Sequence, residues 1–216
     1  MKNKHAIVIR LDYPDCEAFE WRSAFFRSVV LPRLLRQTDQ KFDIVIRCNP
    51  IHKERIEVLS DKISTFHHDS PTKYGTGLGH IKTGSNSIPA FDFKLDYPIQ
   101  TRIDSDDLVS FDFVEKIHKE FEGKKEDTLL HFQPMKFDLY GLKTYHVGIK
   151  SSVEHMSPFI SLYQPNEIKY FIYQFGHTKI GKHFKNVVFI DEGYCWLTVH
   201  HNNASTTIRG VDTESF

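Results

Sequence analysis

The first third of the chain alternates between two apolar periodicities, and that alternation restricts the fold more than any other feature. Ala6–Leu11 (Ala-Ile-Val-Ile-Arg-Leu) is a nearly continuous apolar run, the pattern of a strand buried on both faces in a parallel sheet. Phe19–Gln37 follows, with Phe25/Val29 and Phe26/Val30/Leu34 at helical spacing; Pro32 must kink this segment or start a second helix there. Phe42–Arg47 reads as a second strand, Ile56, Leu59 and Ile63 as a short amphipathic helix, and Ser64–His67 as a third strand. Strand, helix, strand, helix, strand predicts an α/β fold with a doubly wound sheet flanked by helices. Ligands of such sheets bind beyond the carboxyl ends of the strands. Arg10–Asp12, Arg47–Asn49 and Asp104–Asp107 fall at those ends and are expected to share one crevice.

The third of these segments carries the sharpest chemistry. Asp104, Asp106 and Asp107 lie within four positions, after an apolar β-branched run and before a helix-like one. Carboxylates this close repel unless a positive charge lies among them, and a divalent cation with oxygen ligands is the usual partner. A structural reading competes with this one: Asp106 or Asp107 capping a helix over Leu108–Phe121, where acids favour the helix dipole.

The remainder of the chain reads less regularly. Gly75, Gly77, Gly79 and Gly84 fall in a turn-rich stretch between Ser70 and Pro98. Without the Lys-Ser/Thr of a P-loop, this is expected to be a surface loop and not a phosphate cradle. After Glu122 come shorter strand-like runs, Thr128–Phe132, Phe137–Tyr140, Tyr145–Ile149 and Val187–Ile190. They suggest an antiparallel extension of one domain, with halves 1–122 and 123–216 and no Pro/Gly/Ser linker between them. Asp191-Glu192 follows the last run, where a carboxylate could serve as a general base. Of the 13 histidines, His200-His201 end the apolar segment that starts at Trp196. Adjacent strand residues face opposite ways, so only one of the two can enter a shared site, and His201 is favoured.

Composition removes several function classes. Lys+Arg and Asp+Glu both number 28, so the chain lacks the basic excess that phosphate-backbone binding needs, and nucleic acid is not an expected partner. Cys16, Cys48 and Cys195 form no Cys-x-x-Cys pair; a reducing cytosol and a cytoplasmic location are expected. Ala6–Ile9 is too short for a signal peptide, and no run approaches the roughly 18 apolar residues of a membrane span. Peripheral association with a membrane surface stays open.

A resemblance joins these signals. The first strand, the helix ending Val30-Leu-Pro-Arg-Leu-Leu-Arg-Gln-Thr38, and the strand after it resemble the opening of glycosyltransferases with the GT-A fold. Thr101-Arg-Ile-Asp-Ser-Asp-Asp107 resembles their Asp-x-Asp motif. More narrowly, Arg10-Leu-Asp12, Leu31-Pro32, Gln37-Thr38 and the late Trp196-Leu-x-Val with histidine and asparagine are similar to a bacterial rhamnosyltransferase family, over about residues 5–205. The resemblance implies a GT-A-like, Rossmann-like mixed sheet and transfer of a sugar from a nucleotide-diphosphate donor to a saccharide or glycoconjugate acceptor, with inversion. It implies Mn²⁺ or Mg²⁺ at Asp104, Asp106 and Asp107, completed by His201 or His200. Arg10, Asp12, Arg102 and Asp104 would meet the donor, and Asp191 or Glu192 would be the base. Two other classes remain: a metal-dependent hydrolase, although His-x-His and His-Glu-x-x-His are both absent from the sequence, and a non-catalytic carbohydrate-binding protein on the same fold.

Overall fold

The computed structural model describes residues 4–11, 13, 17–66, 95–146, 157–173 and 180–199. Strand β1, His5–Leu11, shows why its sequence is apolar almost throughout. Ile7, Ile9 and Leu11 enter one hydrophobic cluster, while Ala6 and Val8 enter a second on the other side of the sheet. A strand with core on both faces has no position left for alternation.

The helical path after β1 runs through α1 (Glu17–Phe25), a π-helical stretch (Phe26–Val30) and α2 (Leu31–Leu35) without leaving right-handed backbone. Pro32 accounts for the middle piece. It has no N–H to donate and its ring crowds the preceding turn. The helix widens instead of breaking, and Leu31 N–H donates five residues back to Phe26 O. Phe26, Val30, Leu31 and Leu34 stay buried through this adjustment. Each fully buried side chain of this size contributes about 1.5–3 kcal/mol.

Next come β2 (Asp43–Cys48), the short α3 (Lys53–Glu57), β3 (Ile63–Phe66), β4 (Ile99–Asp104) and β5 (Leu108–Val109). They are followed by α4 (Phe113–Phe121), β6 (Thr128–Phe132), β7 (Met135–Asp138), β8 (Lys143–Tyr145), β9 (Ile160–Tyr163), β10 (Asn186–Ile190) and β11 (Cys195–Val199). Among the described residues seven strands form one sheet in the order β10-β6-β9-β4-β1-β2-β3. Every neighbouring pair is parallel except those made by β9, which runs antiparallel to both β4 and β6. A smaller sheet, β5-β11-β7-β8, packs alongside. The expected α/β mixed sheet is therefore what the chain forms.

Two expectations are corrected. Leu108–Phe121 is not one helix: Leu108 and Val109 pair with Trp196 and Cys195 of β11, and the helix begins only at Phe113. Asp112, not Asp106 or Asp107, stands at its N-cap position, and it makes no side-chain capping bond. The cap comes from elsewhere: buried Gln37 accepts from Val114 N–H at 3.0 Å and donates to Ser110 O at 2.7 Å. Thr38 N–H adds a bond to Phe111 O at 2.8 Å. Gln37-Thr38 thus docks the first helical path onto α4, satisfying a backbone donor that a helix N-terminus leaves open. Second, the later strands are not simply an antiparallel extension, because β6 and β10 lie parallel to β4 within the main sheet and only β9 reverses.

Candidate active site at the carboxyl ends of the central strands

Register fixes what meets at this edge. Arg10 is the Cα partner of both Asp104 and Arg47, and Arg102 partners Val8 two residues earlier. Partners in register share a face, and so do residues two apart on a strand. Arg10, Arg47, Arg102 and Asp104 therefore project from the same face, the one whose deeper positions hold Ala6, Val8 and Val45. Arg102 is buried, with its guanidinium 4.5 Å from the centroid of the Tyr173 ring and 3.5 Å from Asp104 Oδ1. Tyr173 O–H donates to Val8 O and Ile103 O, both at 3.4 Å, which fixes the ring over the two central strands.

After Asp104 the chain turns sharply: Asp107 N–H donates to Asp104 O at 3.2 Å. Asp106 and Asp107 are both buried, at 6% and 4% exposure, whereas the Asp104 side chain keeps a third of its surface in solvent. The turn is held from three directions. Arg22, from α1, pairs through Nη1 with Asp106 Oδ1 at 2.5 Å and approaches Ser105 Oγ at 3.5 Å. Thr198 N–H, from β11, donates to Asp107 Oδ1 at 3.2 Å, and Thr198 Oγ1 donates to Asp106 O. The Arg22 guanidinium lies over the Tyr13 ring, 5.4 Å from Cζ to the ring centroid.

The electrostatics follow from this packing. Burial, and then the neighbouring Asp106 and Asp104 carboxylates, push the Asp107 carboxyl well above the usual carboxylate range, against the opposing pull of Thr198 N–H and Arg22. For Arg22, burial works against the charge but Asp106 and Tyr13 outweigh it, and the net direction is upward. Burial also raises the Tyr13 phenol.

The donor set fits a hard divalent cation in kind: carboxylate oxygens, crowded enough to repel, with Asp104 open to solvent. Asp104 is the best placed, since Asp106 commits one oxygen to Arg22 and Asp107 commits one to the backbone N–H of Thr198. Among the described residues no three His, Cys, Asp or Glu side chains close around one point. His200 and His201, the remaining ligand candidates, and Asp12, expected at the donor, lie outside the described residues, as does the glycine-rich stretch.

Asp191 and Glu192 follow β10, whose carboxyl end lies on the same sheet edge as that of β4, with β6 and β9 between them. At about 4.8 Å per strand this separates them by roughly 14 Å along the edge. Asp191 is exposed; the charge of Lys116 on α4 is held chiefly by its hydrogen bond to Glu120, with Asp191 only a minor contributor. Glu192 pairs through Oε2 with Nδ1 of His146. Sequence reasoning placed both carboxylates just after a strand, as found, but could not show that Glu192 is engaged. It missed Arg22, Tyr13, Tyr173 and Thr198, which come from other elements and carry no local pattern.

Comparisons with known proteins bear on the fold and the family. In fold, the chain is similar to Staphylococcus aureus TarS. Against its complex with UDP-GlcNAc the TM-score is 0.55, with 11% identity over 92% of this chain and 59% of that one. Against TarS in a second structure the TM-score is 0.53, with 13% identity over 90% and 60%, and against its complex with UDP it is 0.53, with 12% identity over 91% and 60%. This chain spans about 60% of the length of those chains, and at such identities the likeness is one of GT-A-type fold. No curated protein matches the sequence. The model of the family described as "Putative rhamnosyl transferase" matches residues 13–212. The chain belongs to that family.

Proposed function

We propose that the chain is a metal-dependent, inverting glycosyltransferase, and that it moves a sugar from a nucleotide-diphosphate donor, a rhamnosyl donor by family, to a hydroxyl of a saccharide or glycoconjugate acceptor. The observation that carries this reading is the acidic turn Asp104–Asp107 at the end of β4, next to three arginines on one face of the central strands. The TarS complexes with UDP and UDP-GlcNAc support a nucleotide-diphosphate donor for the same fold.

Arg10, Arg47 and Arg102 would hold the anionic donor, with Asp12 and Asp104 toward its ribose. Asp104, Asp106 and Asp107, with His201 or His200, would hold Mn²⁺ or Mg²⁺, which when bound would supply electrostatic stabilisation of the charge that leaves with the diphosphate. The acceptor oxygen forms its bond to the anomeric carbon as the bond from that carbon to the diphosphate oxygen breaks. The acceptor's proton goes to a carboxylate on the opposite side, Asp191 in preference to Glu192, because His146 already occupies Glu192. No helix among the described residues is long and apolar enough to cross a membrane, and we place the enzyme in the cytoplasm, where nucleotide sugars are available.

Thermal unfolding in the presence of UDP, dTDP or GDP, with Mn²⁺ or with EDTA, tests the reading, since a ligand that binds only the folded state raises its melting temperature. At least one nucleotide is expected to stabilise the wild type in Mn²⁺ alone, and Asp106→Asn is expected to lose that response. Asparagine is preferable to alanine because it leaves an oxygen facing buried Arg22. Equal stabilisation in EDTA, or an unchanged response in Asp106→Asn, would show that the acidic turn does not hold a metal.

A further inference from the structure

We propose that Arg22 is the resident cation of the acidic turn, competing with the divalent ion for Asp106 and so setting how tightly metal is held. This rests on the metal reading above. The side chain of Arg22 is only 12% exposed and that of Asp106 8%, and the two meet at 2.5 Å. Long cationic side chains are rarely buried unless they are paired, so the pair is a deliberate feature of the packing. The fork geometry of a guanidinium lets a single Nη1 address both Asp106 Oδ1 and Ser105 Oγ. The Tyr13 ring lies against its plane and limits how far it can swing.

A positive charge in this place has two opposed effects. With no metal bound, it offsets the repulsion among Asp104, Asp106 and Asp107 and keeps the turn in shape. With metal bound at Asp106, the same charge would oppose a divalent ion that shares its carboxylate. At about 5 Å and an effective dielectric constant near 20, that repulsion exceeds thermal energy several-fold. Arg22 therefore stabilises the metal-free protein and weakens its hold on metal. A guanidinium acting only as a strut would lower both stability and metal affinity when removed. A competing cation separates them, and the signs become opposite.

The experiment combines Mn²⁺ titration, read from the paramagnetic resonance signal of the free ion, with thermal unfolding of wild type, Arg22→Gln and Arg22→Lys. Arg22→Gln is expected to bind Mn²⁺ about tenfold more tightly, because one opposing charge is gone. Without metal it should unfold at a temperature lower by roughly 3–8 °C, a deficit that saturating Mn²⁺ largely removes. Arg22→Lys keeps the charge, so its Mn²⁺ affinity should stay within about threefold of wild type. If wild type binds Mn²⁺ and Arg22→Gln binds it equally or more weakly, Arg22 is a strut; the proposal is then wrong and the metal reading stands. If Arg22→Gln binds Mn²⁺ where wild type does not, the competition is upheld and the metal dependence of the native enzyme falls. If neither binds, both fall. Should Arg22→Gln fold only in Mn²⁺, that too upholds competition, whereas failure to fold in saturating Mn²⁺ while Arg22→Lys folds overturns it.

Discussion

Each end of the central strands carries a buried polar cluster, and the two are built on different principles. At the amino end, Asp39 Oδ2 meets His118 Nδ1 at 2.8 Å, His118 Nε2 meets His5 Nδ1 at 3.0 Å, and His5 Nε2 meets Thr101 Oγ1 at 2.8 Å. Thr101 continues the chain to Ser161 Oγ at 2.7 Å. Donors and acceptors alternate along it, with one carboxylate at the surface end. At the carboxyl end, three carboxylates crowd into one turn, and one of them, Asp107, is forced toward its protonated form. Satisfied polar burial ties elements together; the amino-end chain links α4, β1, β4 and β9. Unbalanced charge is costly in a fold and is retained where a ligand completes it. On this contrast the amino end is read as structure, and the carboxyl end is the one proposed for chemistry.

The largest expected effect lies on the chemical edge. Asp191→Asn should lower turnover by about 10²–10⁴ on a defined acceptor while donor binding holds, the usual range for removing a general base. Glu192→Gln should cost less, because His146 already occupies that carboxylate. Full transfer rates in both variants would place the base elsewhere and remove this edge's second carboxylate from the mechanism.

The amino end should reveal itself through pH. Burial, then the charge on His118, hold the His5 imidazole well below its ordinary pKa, with Asp39 opposing. Unfolded, the same group takes a proton near pH 6.5. Below that pH the unfolded state therefore binds more protons, and stability falls as the solution is acidified, by up to about 1.4 kcal/mol per pH unit until the folded group titrates. Unfolding measured between pH 7.5 and 5 should show this slope in wild type, and a flatter one in His5→Gln relative to its own value at pH 7.5. Identical slopes would mean that the acid sensitivity lies outside the histidine chain.

The smallest effect joins the two themes. Thr198→Val removes a hydroxyl donor from the carbonyl of Asp106 without touching a carboxylate. About 1 kcal/mol should be lost, read as a severalfold weaker, Mn²⁺-dependent response to nucleotide. A stability loss with donor affinity untouched would make Thr198 part of the scaffold alone.

How much of this was legible in the sequence depended on distance along the chain. Strands β1, β2 and β6 were visible because burial on two faces, or near it, leaves an apolar run, while β10 keeps an apolar run at the end of the sheet although only Ile190 in it is buried. Strand β9, only Ile160–Tyr163, carries too few residues for a period, although it supplies the one reversal in the main sheet. Leu108–Val109 looked helical because Phe113, Val114, Ile117 and Phe121 behind it are helical; only pairing with β11 makes those two residues a strand. The acids themselves were plain, and so was the argument that they need a positive partner. That a guanidinium supplies part of that charge was not, since Arg22 on α1 is one of many surface-like arginines until the fold brings it to Asp106. Gln37-Thr38 was legible as a resemblance, but its work as a distant cap for α4 was not.

The bond from Thr198 to the acidic turn bears on what could be transplanted. A short acidic stretch reads as a portable unit, one that might be cut from one scaffold and grafted onto another. Here its geometry is split between a turn and a strand far downstream, with Thr198 supplying both a backbone and a hydroxyl donor to it. A graft carrying only residues 104–107 would bring the charges without the frame that holds them. The smallest transferable piece therefore includes the turn, β5, β11 and the α1 residue Arg22 that pairs with Asp106.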